Sequence, residues 1–190
     1  MLEKELPLWP TLRKLLMGFA VIFLLSLLLG TFFKEPIQAF GGMLVARFGL
    51  PGLSAIILFL DSVPTPLSGV PFMLLALAGG APFWTVYLIA AFSSYAAGLM
   101  GYSFGRVVGI PKRLATWLDQ KHPRIRQLLD QYGGWGVLVI AILPLPLALG
   151  TLSAGALKVR PGPVALALLV RFPKAFVYML MLEGGLKLGG

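Results

Sequence analysis

Three charged residues stand where an apolar chain should carry none. Asp61 is the only charged residue between Arg47 and Arg106, and Pro64 and Pro66 follow it in the stretch DSVPTPLSG. Arg171 and Lys174 lie in ALALLVRFPKAFVYMLML, seven and ten residues after Val164, with Pro173 between them. A cation near the middle of a membrane span costs at least about 2.5–3.5 kcal/mol on insertion scales. At a spacing of i, i+3 the two cations share one helix face, and Pro173 frees the carbonyl of Leu169. Either both snorkel to an interface because the span is shifted, or both line a polar cavity and meet an anion. The second arrangement predicts that Asp61 lies close to Arg171 or Lys174. The unmatched second cation then leaves the cavity net positive, which suits a phosphate: arginine supplies a planar fork and lysine a point charge. Helix N-termini that follow Pro66 and Pro146 would add partial positive charge.

The composition says what surrounds these residues. Of 190 residues, 58% are hydrophobic and 12% charged, and the mean hydropathy is +0.89. Soluble domains carry about 25% charged residues, so this is a membrane protein with room for about four to six embedded segments. The net charge of +9 sits at the ends of apolar segments, as membrane orientation requires. No aromatic residues interleave with a basic stripe, so nucleic acid is not expected as a partner. The chain has no cysteine and a single histidine, His122. That excludes disulfides, thiol chemistry and cysteine-based zinc sites, and neither a metal nor a cofactor is expected.

Along the chain, Trp9, Arg13 and Lys14 form an interfacial lead, and Leu15 to Phe33 is an uncharged run of 19 residues. That run is longer than a signal-peptide core and has no small-x-small cleavage site, so it reads as a retained span. Lys34-Glu35-Pro36 breaks it, and residues 37–50 read as a surface helix. The pieces 52–60 and 67–78, on either side of Pro64 and Pro66, are of half-membrane length. They form a re-entrant hairpin or one span with an unwound centre. In either case protein or water must cover the broken backbone, because lipid cannot satisfy it. Residues 83–105 form a full span. Its small-residue stripe (Ala90, Ser94, Ala97, Gly98, Gly101, Gly105) predicts close helix packing and no ligand site.

Residues 110–132 are basic. Leu114, Trp117 and Leu118 share one helical face, and Ile125, Leu128 and Leu129 share another. They read either as a basic amphipathic pair on an anionic membrane surface or as a solvated loop touching its own protein. From Gln131 to Leu157 no residue is charged, and Pro144 and Pro146 repeat the earlier break eighty residues later. Arg160-Pro161-Gly162-Pro163 then leads into a last span over 164–182. The expected fold is therefore all-α: three full transmembrane helices and two re-entrant helical hairpins with Pro-x-Pro tips, forming an inverted repeat of the transporter type. Residues 1–50 form an N-terminal part. Residues 51–183 form a domain made of a hairpin at 51–80, a span at 83–107, a basic loop at 110–132, a hairpin at 134–157 and a span at 162–183. With both hairpins re-entrant, the N-terminus, the 110–132 loop and Lys158/Arg160 share the cytoplasmic side of an inner membrane.

This order resembles the DedA, or VTT-domain, family of membrane proteins, over roughly residues 50–183. The pieces that carry the resemblance are Gly101-Tyr102-x-x-Gly105-Arg106, Tyr132-Gly133-Gly134, Ala154-Gly155, and Gly162-Pro163-Val164 running on to Lys174 and Tyr178; the ending is similar to that of the shorter bacterial members. The resemblance implies two facing re-entrant hairpins and movement of lipid across the bilayer. The lipid would be undecaprenyl phosphate or phospholipid, often with proton dependence. Two departures stand out. Ser68 and Gly69 replace a glutamate common after the first tip, and LPLPLALG lacks the arginines common around the second. Arg171 and Lys174 would then have to supply the phosphate contacts. The candidate cavity comprises Asp61, Arg171, Lys174 and Arg106, and the hairpin tips are Pro64, Pro66, Ser68, Pro144 and Pro146.

The leading reading is a flippase or scramblase of a phosphate-bearing lipid, with membrane lipids as partners; a homo-oligomer is compatible with it. A proton- or ion-coupled transporter of a small solute is the alternative, and a non-catalytic scaffold is the third. An enzyme is not expected, since there is no Ser–His, paired-Asp or HExxH arrangement for an intramembrane protease.

Overall fold

A computed structural model describes residues 8–63, 69–110, 115–116, 120–121, 123–142 and 147–189. Among them the chain is helical: α1 Leu8–Phe32, α2 Lys34–Ser62, α3 Val70–Ala78, α4 Phe83–Val108, α5 Pro123–Tyr132, α6 Gly134–Ile142, α7 Leu147–Ala156, α8 Pro161–Leu168 and α9 Arg171–Gly189. Three stretches are long and apolar enough to cross a membrane: Lys34–Ser62, Phe83–Val108 and Pro161–Gly189. This is an integral membrane protein.

The second and third of these stretches match expected spans, and α1, 25 residues long, covers the expected first span almost to its end at Phe33. α2 holds two helical pieces that meet at Gly49, where a surface helix over 37–50 and a half-length piece over 52–60 were expected. Pro36 falls in the first turn of α2, where no backbone N–H is needed. The expected boundary near residue 50 survives as a kink. Gly49 adopts φ 59° and ψ −165°, a conformation open essentially to glycine alone, and Pro51 lacks the N–H that would bond to Arg47.

Each proline break joins an antiparallel helix pair. Gly69 packs on Ile57, and Gly79 lies against the backbone of Gly41, so α3 runs back along α2. Gly150 sits on Ile140, so α7 runs back along α6. The two returning helices end in the same cap. Ala81 N–H bonds to Ala76 carbonyl at 3.0 Å and Val159 N–H to Ala154 carbonyl at 3.0 Å. The residue between is left-handed in each: Gly80 at φ 86° and Lys158 at φ 53°.

The small-residue stripe of α4 packs as expected. Gly101 faces Thr151, and Gly105 and Gly155 bring the backbones of α4 and α7 into contact. α1 runs parallel to α9 along a seam of small residues that the sequence reading overlooked. Gly185 and Gly30 share it with Ser26, whose hydroxyl donates to the carbonyls of Phe23 at 2.8 Å and Met181 at 3.2 Å. Of the two readings for the basic interval, contact with its own protein is the one observed over the described part. Ile125, Leu128 and Leu129 are buried, and Leu128 lies beneath Gly136 of α6. Leu114, Trp117, Leu118 and His122 lie outside the described residues.

Two apolar cores result. One gathers α2, α3, the first half of α4 and α9 around Ile57, Met73, Val86 and Met179. The other gathers α5 to α8 and the second half of α4 around Tyr102, Ile140, Leu149 and Leu168. α4 runs through both. Between α8 and α9 the last span breaks at Leu169–Val170. The carbonyl of Leu169, which Pro173 cannot bond, accepts the N–H of Phe172 at 3.0 Å instead, as a tight 3₁₀ turn.

Candidate functional site

The break in the last span places the first turn of α9 at the junction of the two cores, and there the intramembrane charges meet. Asp61 is in the last turn of α2, immediately before the first proline tip. Its Oδ2 lies 3.7 Å from Nη2 of Arg171, with the Asp61 and Arg171 side chains 17% and 14% exposed. The same oxygen accepts the hydroxyl of Ser94, halfway along α4. Both charges are expensive in a membrane, and each offsets the other's desolvation because they are paired, with Ser94 hydrogen-bonded to the carboxylate. A second hydroxyl pair continues along the α2–α4 contact: Ser54 Oγ and Ser93 Oγ are 2.8 Å apart. Nε of Arg171 and the hydroxyl of Ser62 are enclosed and have no hydrogen-bond partner among the described residues.

Lys174 takes a different partner. Its ammonium donates to the carbonyl of Ala141 at 2.7 Å and to that of Ile142 at 3.4 Å. These carbonyls end α6, immediately before the second proline tip. The sequence left open which of Arg171 and Lys174 would pair with Asp61 and expected the other to have no anion; the other is Lys174, and backbone carbonyls hold it. Backbone chemistry accounts for one of these contacts: Pro146 carries no N–H, so the carbonyl of Ile142 has no helical donor four residues on. A lysine one turn beyond Arg171 reaches that electronegative helix end.

Tyr178 extends the same face of α9 by one further turn and rests on Phe19, with ring centroids 5.4 Å apart. Three residues at i, i+3 and i+7 therefore form a polar stripe on the first half of α9. Ser94 was assigned to packing alone by the stripe reading. It is buried as that reading requires, and it also donates to a carboxylate. No sequence signal separated it from its small neighbours, since its partner lies 33 residues away.

Arg106 is elsewhere. It is twelve residues beyond Ser94 on α4, about 18 Å at 1.5 Å per residue. There its guanidinium hydrogen-bonds Tyr102 Oη and donates to the carbonyl of Val159 at 3.1 Å. Tyr102 Oη also donates to Val159. Arg106 therefore clamps the end of α4 to the turn after α7 and does not join Asp61, Arg171 and Lys174. The tip residues Pro64, Pro66, Ser68, Pro144 and Pro146 lie outside the described residues.

A separate cleft of about 470 Å³ opens at the end of the molecule remote from Arg106. It is lined by Lys34, Gln38, Phe83, Glu183 and Lys187, and Glu183 and Lys187 pair at 2.8 Å.

Among known proteins, no curated sequence and no solved structure matches this chain. The family model of the VTT domain matches residues 70–184, more than half of the chain, from the first turn of α3 into α9. The match takes in Arg171 and Lys174 and leaves Asp61 just outside. The chain belongs to the VTT-domain (DedA) family, a membrane family of transporter type.

Proposed function

We propose that this protein moves a phosphate-bearing lipid, a polyprenyl phosphate or an anionic phospholipid, across the bilayer. The observation that carries the reading is the position of Arg171 and Lys174. Two cations share one turn of α9 at the junction of two antiparallel helix pairs, with the Asp61 carboxylate paired to one of them. The local charge is net positive, one carboxylate against two cations. A lipid phosphate is the anion a membrane offers in quantity, and its chains stay in the hydrocarbon while the headgroup crosses.

In this reading the pairs α2–α3 and α6–α7 are re-entrant hairpins that face one another as an inverted repeat. The N-terminus and the basic end carrying Arg106, Lys158 and Arg160 face the cytoplasm of a bacterial cell, in keeping with the positive-inside rule.

The test is the purified protein in liposomes, assayed with a fluorescent phospholipid and with a labelled polyprenyl phosphate. Faster equilibration of either lipid than in protein-free vesicles is expected. Movement of neither would overturn the proposal. The open polar cleft at Lys34, Gln38, Glu183 and Lys187 favours a second reading, transport of a small solute. A solute flux driven by a pH gradient, with no lipid movement, is the outcome that would select it.

A further inference from the structure

The two cations of α9 are held by unequal partners. Arg171 faces a full carboxylate charge, shielded from water and reinforced by Ser94. Lys174 faces two backbone carbonyls at a helix end, which together present about half a unit of negative charge. Arg171 is also walled in, with its Nε enclosed. Lys174 is only partly buried, and Ile142, one of its two partners, is 37% exposed. A lysine ammonium is a compact charge on a stem with four rotatable carbons, so it can change partners without moving its backbone.

Resting on the lipid-phosphate reading above, we infer that Lys174 is the exchangeable cation of the site. In the empty protein its ammonium satisfies the carbonyls of Ala141 and Ile142. A phosphate monoester draws it away, because a full anionic charge outcompetes a partial one in a water-poor setting. The pair Asp61–Arg171 stays closed throughout and fixes the first turn of α9. Occupancy is thereby coupled to the contact between α9 and the end of α6. When the phosphate takes the ammonium, those carbonyls lose their donor, and α6 is released from α9.

The inference separates the two cations by experiment. Binding of a labelled polyprenyl phosphate and of the matching uncharged polyprenol is measured in nanodiscs, with inorganic phosphate as a soluble competitor. The wild type should favour the phosphate form at least about tenfold, the value of one charge-assisted hydrogen bond. Lys174→Gln keeps an N–H donor for the carbonyls but no charge, and it should abolish that preference; Lys174→Arg should restore most of it. Asp61→Asn combined with Arg171→Met removes the other pair as a unit and should keep the preference.

A spin label pair on Trp135→Cys and Leu180→Cys, in a chain with no native cysteine, reports the α6–α9 separation. It should lengthen with the phosphate lipid in the wild type, stay unchanged with polyprenol, and not respond to the phosphate lipid in Lys174→Gln. If Lys174→Gln retains the preference, or if the double variant loses it, the inference falls while lipid transport stands. If the wild type shows no preference for phosphate, the inference falls, and the liposome assay decides lipid transport separately. A preference competed away by millimolar inorganic phosphate assigns Lys174 to soluble phosphate, which supports the exchange and removes the lipid.

Discussion

The two proline breaks share a backbone problem and solve it differently. Each places two prolines two residues apart, and each strips donors from the last carbonyls of the incoming helix. At the first break the incoming helix α2 ends with Asp61, and α9 answers with Arg171. At the second the incoming helix α6 ends uncharged, and α9 answers with Lys174 on bare carbonyls. One turn of α9 therefore reaches both breaks. A carboxylate makes the first contact a locked ion pair, whereas a dipole makes the second a looser one. The difference assigns structure to the first break and exchange to the second.

The sharpest way to break that comparison is to remove the carboxylate. Asp61→Asn leaves Arg171 as a shielded charge without a counter-ion, and such a loss costs about 3–5 kcal/mol. We expect a large fall in thermal stability in detergent, followed by tryptophan fluorescence. Adding Arg171→Met should recover much of the loss, because no charge is then stranded. Lys174→Met strands only carbonyls, which water can reach beside the exposed Ile142, and should cost about 1–3 kcal/mol. Equal losses for Asp61→Asn and Lys174→Met would end the distinction between a locked and a loose contact.

A second group of substitutions asks whether the backbone contact between α2 and α3 matters as much as the one that docks α7 on α4. A Cβ at Gly41 would strike the Leu75 carbonyl, and a Cβ at Gly105 would strike that of Leu152. Backbone cannot yield as a flexible side chain can. Gly41→Ala and Gly105→Ala should each destabilise by about 1–3 kcal/mol, read as a lower melting temperature. An effect at Gly105 alone would show that the first pair tolerates separation from its partner.

These contacts also show where the sequence was readable. The α4 stripe was legible because its spacing is local to one helix. The pairing of Asp61 with an α9 cation was legible because charges are so scarce here that few partners existed. Choosing Arg171 over Lys174 was not possible, since both lie on one face and only the packing of α2 against α4 sets which is nearer. The carbonyl partners of Lys174 were hidden for another reason: backbone acceptors have no residue type to read. In hindsight the prolines announce them, because Pro146 cannot serve Ile142. Arg106 was misplaced because the family motif marks its position in the chain and says nothing of depth. The α1–α9 seam was missed because its glycines lie in two segments far apart in the sequence.

The smallest effects concern the turns that close the two pairs. Both returning helices end in one cap geometry with a left-handed residue, Gly80 in the first and Lys158 in the second. Glycine adopts that conformation freely, while a side chain there costs about 1 kcal/mol. The second turn has help that the first lacks: Val159, next to Lys158, has its carbonyl held by Tyr102 and Arg106. Gly80→Ala should therefore destabilise by about 1 kcal/mol. Lys158→Gly should gain a few tenths at most, because the relief of strain is partly cancelled by the freer unfolded chain. Melting temperatures of the two variants side by side give the test. Losing the clamp first, through Tyr102→Phe with Arg106→Met, should enlarge the gain from Lys158→Gly. If that gain stays the same, the clamp does not support the strained turn, and the two caps differ only in the residue that fills them.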